Sequence, residues 1–252
     1  MVEGVDLSKI AVREPPRPKL KRFYKTVTTS TDSGAWRVLL DGKPIRTPMK
    51  SLLETPIQAL AGEIAAEWVA QHEHIEPENM PFTRLLSTAI DRVGPERGVI
   101  EGELLRYVDS DLLCYRADHP ADLVRRQNAV WQPVLDRIAA QHGISMTVSH
   151  GILPVAQPPE VHRGLRAAIS ALDVLALTAF QASAGITSSL ALSLAFVQGS
   201  LSASEVYAAA VLDETYQTER WGEDDEAAAR RARIAFELQG IGRFIGLVIS
   251  KA

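Results

Sequence analysis

LDETYQTERWG, residues 212–222, reads as the end of an amphipathic helix whose buried stripe contains an acid. Helical positions three, four, seven and eight apart share a face, so Val206, Ala209, Ala210, Asp213 and Gln217 line up on one side. Asp213 therefore sits where an apolar residue belongs. An unpaired buried carboxylate costs roughly several kcal/mol. Asp213 is then either paired inside the fold or placed where the stripe emerges to meet another molecule. The spacing predicts one helix over 203–221.

Outward from this stretch the pattern stays helical. An acidic run, Glu223 to Glu226, gives the helix predicted over 225–249 a first turn that complements its dipole. Between Asp173 and Glu205 no charged residue occurs, which raises the question of a membrane span. Gln181, Ser183, Gly185, Thr187, Ser188, Ser189, Ser193 and Gln198 cut that region into pieces shorter than the ~20 residues a bilayer crossing requires. The reading is two helices, 172–182 and 187–198, buried on nearly all sides, with a turn near Ser183 to Thr187. Further helices are predicted over 99–107, over 121–141 interrupted or kinked near Pro133, and over 160–172. Ile144, Met146 and Val148 alternate as a short strand would.

Toward the N-terminus the grammar changes. FYKTVTTS and AWRVLL are rich in β-branched and aromatic residues, and Asp41-Gly42 is a hairpin turn before KPIRTP. Thr55-Pro56 with Gln58 reads as an N-cap, a first-turn proline and a capping-box partner for a helix through Ile57, Leu60, Ala61, Ile64 and Trp68. Pro81 starts another helix, which Gly94-Pro95 ends. The expected class is α+β: a small N-terminal α/β domain with a hairpin sheet, then a larger all-α domain. The boundaries drawn are an extended, proline-containing and partly basic arm over 1–19, the α/β domain over 20–93 and the helical domain over 94–252.

Composition narrows the function. The 252 residues carry a formal net charge of -4, against a dedicated nucleic-acid binder. A single cysteine, Cys114, excludes an internal disulfide. The N-terminus carries early acids and no apolar core of a secretory signal, and makes a poor transit peptide. Catalytic signatures are missing: no GxSxG elbow, no P-loop, no HExxH helix. Gly240, Gly242 and Gly246 miss the dinucleotide spacing by one residue and read as close helix packing. His72 and His74 among Glu73, Glu76 and Glu78 read as a solvated helix end and not a metal cluster. Asp109 and Asp111 read as helix termination and capping, with Arg106 or Arg116 as a partner. No cofactor or metal is expected.

KRFYK (21–25), LDGKPIRTP (40–48), the EW of AAEW (65–68), MPFTRLLSTAIDRV (80–93), SDLLCYR (110–116) and LDETYQTERWG follow one another in a recognisable order and spacing. Together, over roughly residues 21 to 222, the chain resembles the assembly-chaperone family for the alpha subunit of the F-type ATP synthase. The resemblance implies a non-enzymatic chaperone that binds free alpha subunit until the beta subunit replaces it. It implies the same two-part architecture. The lack of a transit peptide resembles the bacterial members, which would place the chain in the cytoplasm; no membrane insertion is expected, and a monomer is the default expectation.

The family's functional acid lies in the segment LDETYQ, and Asp213 matches it best, with Glu214 beside it. An aspartate here, where the family pattern leads one to expect glutamate, shortens the reach by one methylene. The expected partner-binding set is Asp213, Glu214, Tyr216, Gln217, Arg220 and Trp221, with Gln217 one turn on holding the carboxylate. Two rival readings stand beside it. One is a small-molecule enzyme using Asp109, Asp111 or the histidines in an interdomain cleft; the other is a generic helical adaptor.

Overall fold

The structure, a computed structural model, describes residues 20–151 and 154–249. The arm expected over 1–19 lies outside the described residues. Strands β1 (Val27–Asp32) and β2 (Ala35–Leu40) form an antiparallel hairpin in the register Val27 to Leu40 through Asp32 to Ala35. Its turn is Ser33-Gly34, both at positive φ, while Asp41-Gly42, also at positive φ, turns β2 back into β3 (Lys43–Pro44). Strand β4 (Glu54–Thr55) pairs with the other end of β2. Asp41 does more than turn: its carboxylate accepts hydrogen bonds from Lys25 N, Thr26 N and Thr26 Oγ1. Those bonds hold its carboxyl below the usual range.

Helix α1 (Gln58–Val69) lies over β1 and β2 and buries Leu60, Ala61 and Ile64. The capping box expected from Thr55 and Gln58 is not formed. Thr55 belongs to β4, its Oγ1 accepts from Ile57 N at 3.2 Å, and Ile57 occupies the cap without a side-chain bond. The strand pairing takes Thr55 before it can cap.

Glu67, near the end of α1, is 9% exposed. It accepts from Phe82 N at 2.6 Å, Thr83 N at 2.8 Å and Thr83 Oγ1 at 2.6 Å, so it caps α2 (Pro81–Thr88) from a neighbouring helix. Burial pushes its carboxyl above the usual range against those bonds. Glu67→Ala leaves two backbone donors unpaired and is expected to cost about 2–4 kcal/mol, read as a lower denaturant midpoint with an unchanged slope. Helix α2 runs on into a wider turn, Ala89–Val93, closed by Gly94 N on Ala89 O at 2.9 Å.

The remaining helices are α3 (Arg97–Leu105), α4 (Ala121–His142), α5 (Pro159–Ser170), α6 (Val174–Thr187), α7 (Leu190–Val197), α8 (Ala203–Ala210), α9 (Leu212–Trp221) and α10 (Asp225–Ile249). Pro133 sits inside α4 as expected. Every residue of α7 is buried. The turn between α6 and α7 falls at Ser188-Ser189, not at Ser183 to Thr187. The hydroxyls of the expected breakers turn inward: Thr187 Oγ1 donates to Ser183 O at 2.9 Å, and Ser193 Oγ donates to Ser189 O at 2.8 Å. The helix continues past them until Ser188 adopts a positive φ and Ser189 caps α7 through Leu192 N. Among the described residues no helix is long and apolar enough to cross a membrane.

Ile144, Met146 and Val148 do not form the expected strand. Pairing begins just after them, where β6 (Ser149–His150) runs parallel to β5 (Tyr115–Arg116). Ile144 is instead buried against Gly164 of α5, where a Cβ would stand 2.6 Å from its side chain. Helix α10 packs on α2, α6 and α8. Gly240 admits Pro81 and Gly242 admits Ala203 and Phe196, whereas a Cβ at Gly246 would have room, so two of the three glycines serve close packing. One apolar core runs from Tyr24 and Val38 under the sheet to Phe244 and Ile245 of α10.

Candidate functional site

The expected helix over 203–221 breaks at Val211, which leaves the helical region at φ -104 and ψ 16. Helix α8 opens on a full capping box between Ser202 and Glu205. The break rotates the buried stripe: Val206 and Ala209 are buried before it, Val211, Leu212 and Tyr216 at and after it. Gln217 turns out to solvent, and Asp213 comes to lie half-buried at the edge of the stripe. The partner expected from Gln217 is supplied by α4. Gln127, 1% exposed, donates Nε2 to Asp213 Oδ1 at 2.8 Å while its Oε1 accepts Ala117 N at 2.8 Å. The Ala117 bond fixes the orientation of the amide. Trp131, one turn further along α4 and fully buried, donates Nε1 to Ala209 O at 2.9 Å and anchors α4 to α8.

The charges around Asp213 are already spoken for. Arg126 pairs with Glu219 at 2.6 Å and Arg220 with Asp122 at 2.5 Å. Glu214 pairs with Arg230 of α10. Tyr216 is 3% exposed, donates to Asp122 at 2.9 Å and lies beneath the guanidinium groups of Arg126 and Arg220. Tyr216 is thus a supporting wall beneath two cations, not a surface that a partner can reach. Trp221 is the opposite case, 77% exposed at the end of α9. The structure therefore brings Asp213 together with Gln127, sets Arg220 and Glu214 in ion pairs nearby, and leaves Gln217 and Trp221 facing out.

Asp213 has a neutral amide as its hydrogen-bond partner, and among the described residues no cation pairs with it. Burial pushes its carboxyl above the usual range, with the Gln127 bond opposing. The carboxyl gains stability on folding while protonated, below its ordinary 3.8, and loses that gain as pH rises through its raised folded value. Asp213→Asn keeps an acceptor for Gln127 and removes the buried charge. The variant is expected to melt higher than the unsubstituted chain at pH 7, and the difference to vanish in acid below the carboxylate range; paired thermal melts check it.

The acids invoked for catalysis are committed elsewhere. Asp111 is fully buried and accepts from Leu113 N at 3.0 Å, Ser189 Oγ at 2.8 Å and Ala191 N at 3.0 Å. Capping is its role, but its partners are the start of α7 and not Arg106 or Arg116. Arg116 turns to Leu113 O and to Asn128 Oδ1. Asp109 accepts from Gln157 N at 2.7 Å and contacts His162 Nε2 at 3.2 Å. A cleft of about 740 Å³ between the end of α3 and α6 is lined by Glu103, Arg106, Tyr107, Gln181 and Ser188, without either aspartate or any histidine. Among the described residues no group of three His, Cys, Asp or Glu is arranged to hold a metal.

The model of a family described as ATP12 chaperone protein matches residues 21–139. The crystal structure of Atp12 from Paracoccus denitrificans is 40% identical, covers 90% of this chain and 98% of its own, and superposes with a TM-score of 0.83. The chain belongs to the ATP12 chaperone family. A second structure, an aspartate-to-lysine mutant of P. denitrificans Atp12p, matches at 39% identity over 90% of this chain and 97% of its own, with a TM-score of 0.83. The mitochondrial protein atp12 of Schizosaccharomyces pombe is 28% identical over 224 residues, 84% of this chain and 77% of that protein.

The ATP12 fold joins two segments that the sequence keeps apart, and that separation hid half of the site. Gln127 lies 86 residues from Asp213. Its one readable signal is its place four residues before Trp131 on the apolar stripe of α4, the same kind of polar intrusion that marks Asp213.

Proposed function

We propose that this chain is an assembly chaperone of the F-type ATP synthase, a cytoplasmic monomer that holds free alpha subunit through the face around Asp213 and yields it to the beta subunit. The observation that carries the proposal is the half-buried Asp213 carboxylate with a neutral partner, on a chain of a chaperone family. A buried charge without a cation is costly in the free protein. Contact with a basic group of a client removes that cost, so the binding energy is concentrated at one point and gives register. The exposed Trp221 of α9 and Val130 of α4 add apolar surface against the client surface that otherwise aggregates. Trp221 at the exit of α9 and Arg220 beside it supply the rim, since exposed tryptophan and arginine are frequent binding anchors. Release follows from competition, because the beta subunit covers the same client surface more extensively.

The test is the aggregation of purified alpha subunit on dilution from denaturant, followed by light scattering. Near-stoichiometric suppression by this protein, reversed by added beta subunit, is expected. Scattering that is unaffected at several-fold excess would contradict the proposal.

A further inference from the structure

Beyond Asp213, α4 and α8 enclose an apolar groove of about 330 Å³. Its α4 wall is Ala129, Val130 and Pro133; Leu201, Ala208 and Ala209 face them. Ala195 of the buried α7 closes the floor. Val130 is 37% exposed and Ala208 is exposed, so the groove opens to solvent. The groove lies close to the Asp213 pair along the chain. Gln127, which binds Asp213, stands two residues before Ala129 on α4, and Ala209, whose carbonyl receives Trp131 Nε1, lines the groove just before the break at Val211 that leads into Asp213. From Gln127 to Pro133 is six residues, about 9 Å along the helix.

Charge is distributed unevenly along it. Nearest its Gln127 end stands the Asp213 carboxylate, with which no cation pairs among the described residues. At the other, Arg137 donates to Ser200 O, and Glu205 is engaged in capping α8 through Ser202 N at 2.7 Å. Pro133 adds a further acceptor: without an N–H it cannot complete the helical bond to the carbonyl of Ala129, and among the described residues no side chain donates to that carbonyl. The groove is thus aliphatic along its length, acceptor-rich toward one end and already neutralised at the other.

We infer that this groove receives one segment of the alpha subunit that carries a lysine or arginine, seated on Asp213, and aliphatic side chains about 9 Å away, seated between α4 and α8. The inference rests on the proposed chaperone reading and names the chemistry of its client segment. Basic and aliphatic groups are both required: the first relieves the Asp213 charge, the second displaces water from Val130, Leu201 and Ala208. An acidic or purely polar segment satisfies neither end.

Two variants of one exposed position test it with purified alpha subunit. Ala208→Trp fills the groove and is expected to weaken alpha-subunit binding at least tenfold with unchanged circular dichroism, while Ala208→Ser binds as the unsubstituted chain does. Ala208→Cys supports a photo-cross-linker, because Cys114 is buried and its thiol is pushed up to about 12 and stays unreactive. The cross-linked segment, released by a protease that cleaves after glutamate, is expected to come from the alpha subunit and to contain a basic residue flanked by aliphatic ones. Normal binding by Ala208→Trp alongside lost binding by Asp213→Lys would overturn the groove and leave the chaperone reading standing. Normal binding by both would overturn both. A cross-link to a second copy of this chain, or to a segment without lysine or arginine, would overturn the client chemistry.

Discussion

Replacement of Asp111 by alanine is expected to cost about 3–5 kcal/mol, a large share of the 5–15 kcal/mol that holds a typical domain together. The side chain has no exposed surface, and its two oxygens take bonds from Leu113 N, Ser189 Oγ and Ala191 N. It is the joint between the turn Leu112–Cys114 and the start of α7, the helix buried along its whole length. Alanine leaves two buried backbone donors and one hydroxyl without acceptors. Leu113 and Leu192, both fully buried, then lose their alignment. Among the described residues no cation pairs with Asp111; the first turn of α7 supplies the positive end of a helix in place of one. Burial still pushes its carboxyl upward, so its stabilising share is greatest when protonated and declines as pH rises through the raised value. Asp111→Asn is expected to lie between the two, because one amide end accepts as the carboxylate did and the other presents a donor to a donor. Denaturant titration followed by circular dichroism reads all three proteins.

The same residue shows how far the sequence carries. SDLLCYR announced a cap, since an acid before an apolar run is a local pattern. What it capped was not legible, because Ser189 stands 78 residues away. Long periodic helices read well for the same reason: α4 with its internal Pro133, and α10 from Asp225 to Ile249, declare themselves by neighbours three and four apart. Boundaries read poorly where a side chain decides between two uses. Thr55 looked like a cap and joined a strand; Ser183 and Thr187 looked like a turn and bonded back into their own helix.

The site divides along the same line. Asp213 was visible as a polar intruder in a stripe, and its acid character follows from one segment. The break at Val211, which turns Gln217 outward and Tyr216 inward, goes with α8 and α9 each bonding to α4, through Trp131 and Gln127, and local spacing does not encode that. Gln127 carries only the mark of a polar residue on the apolar stripe of α4, and nothing local names Asp213, 86 residues away, as its partner.

Asp213→Lys is expected to have the largest functional effect. An ammonium at this position faces the Nε2 donor of Gln127, which cannot turn because Ala117 N holds its oxygen. Asp213 is only half-buried, so the longer lysine side chain reaches water and the fold loses about 1 kcal/mol or less. The client loses far more. Removing one partner of a desolvated charge pair typically costs about 2–5 kcal/mol of binding, roughly thirty- to several-thousand-fold, and a like charge adds repulsion. Asp213→Asn separates the two contributions: it keeps the internal bond, lifts the melting temperature and still gives up the charge.

Isothermal titration of purified alpha subunit into the unsubstituted chain and into Asp213→Lys, with thermal melts of both proteins in the same buffer, addresses the role of this carboxylate most directly. The expected result is saturable binding by the first, none by the second, and melting temperatures that nearly coincide. Equal affinity of the two proteins for alpha subunit would contradict the account.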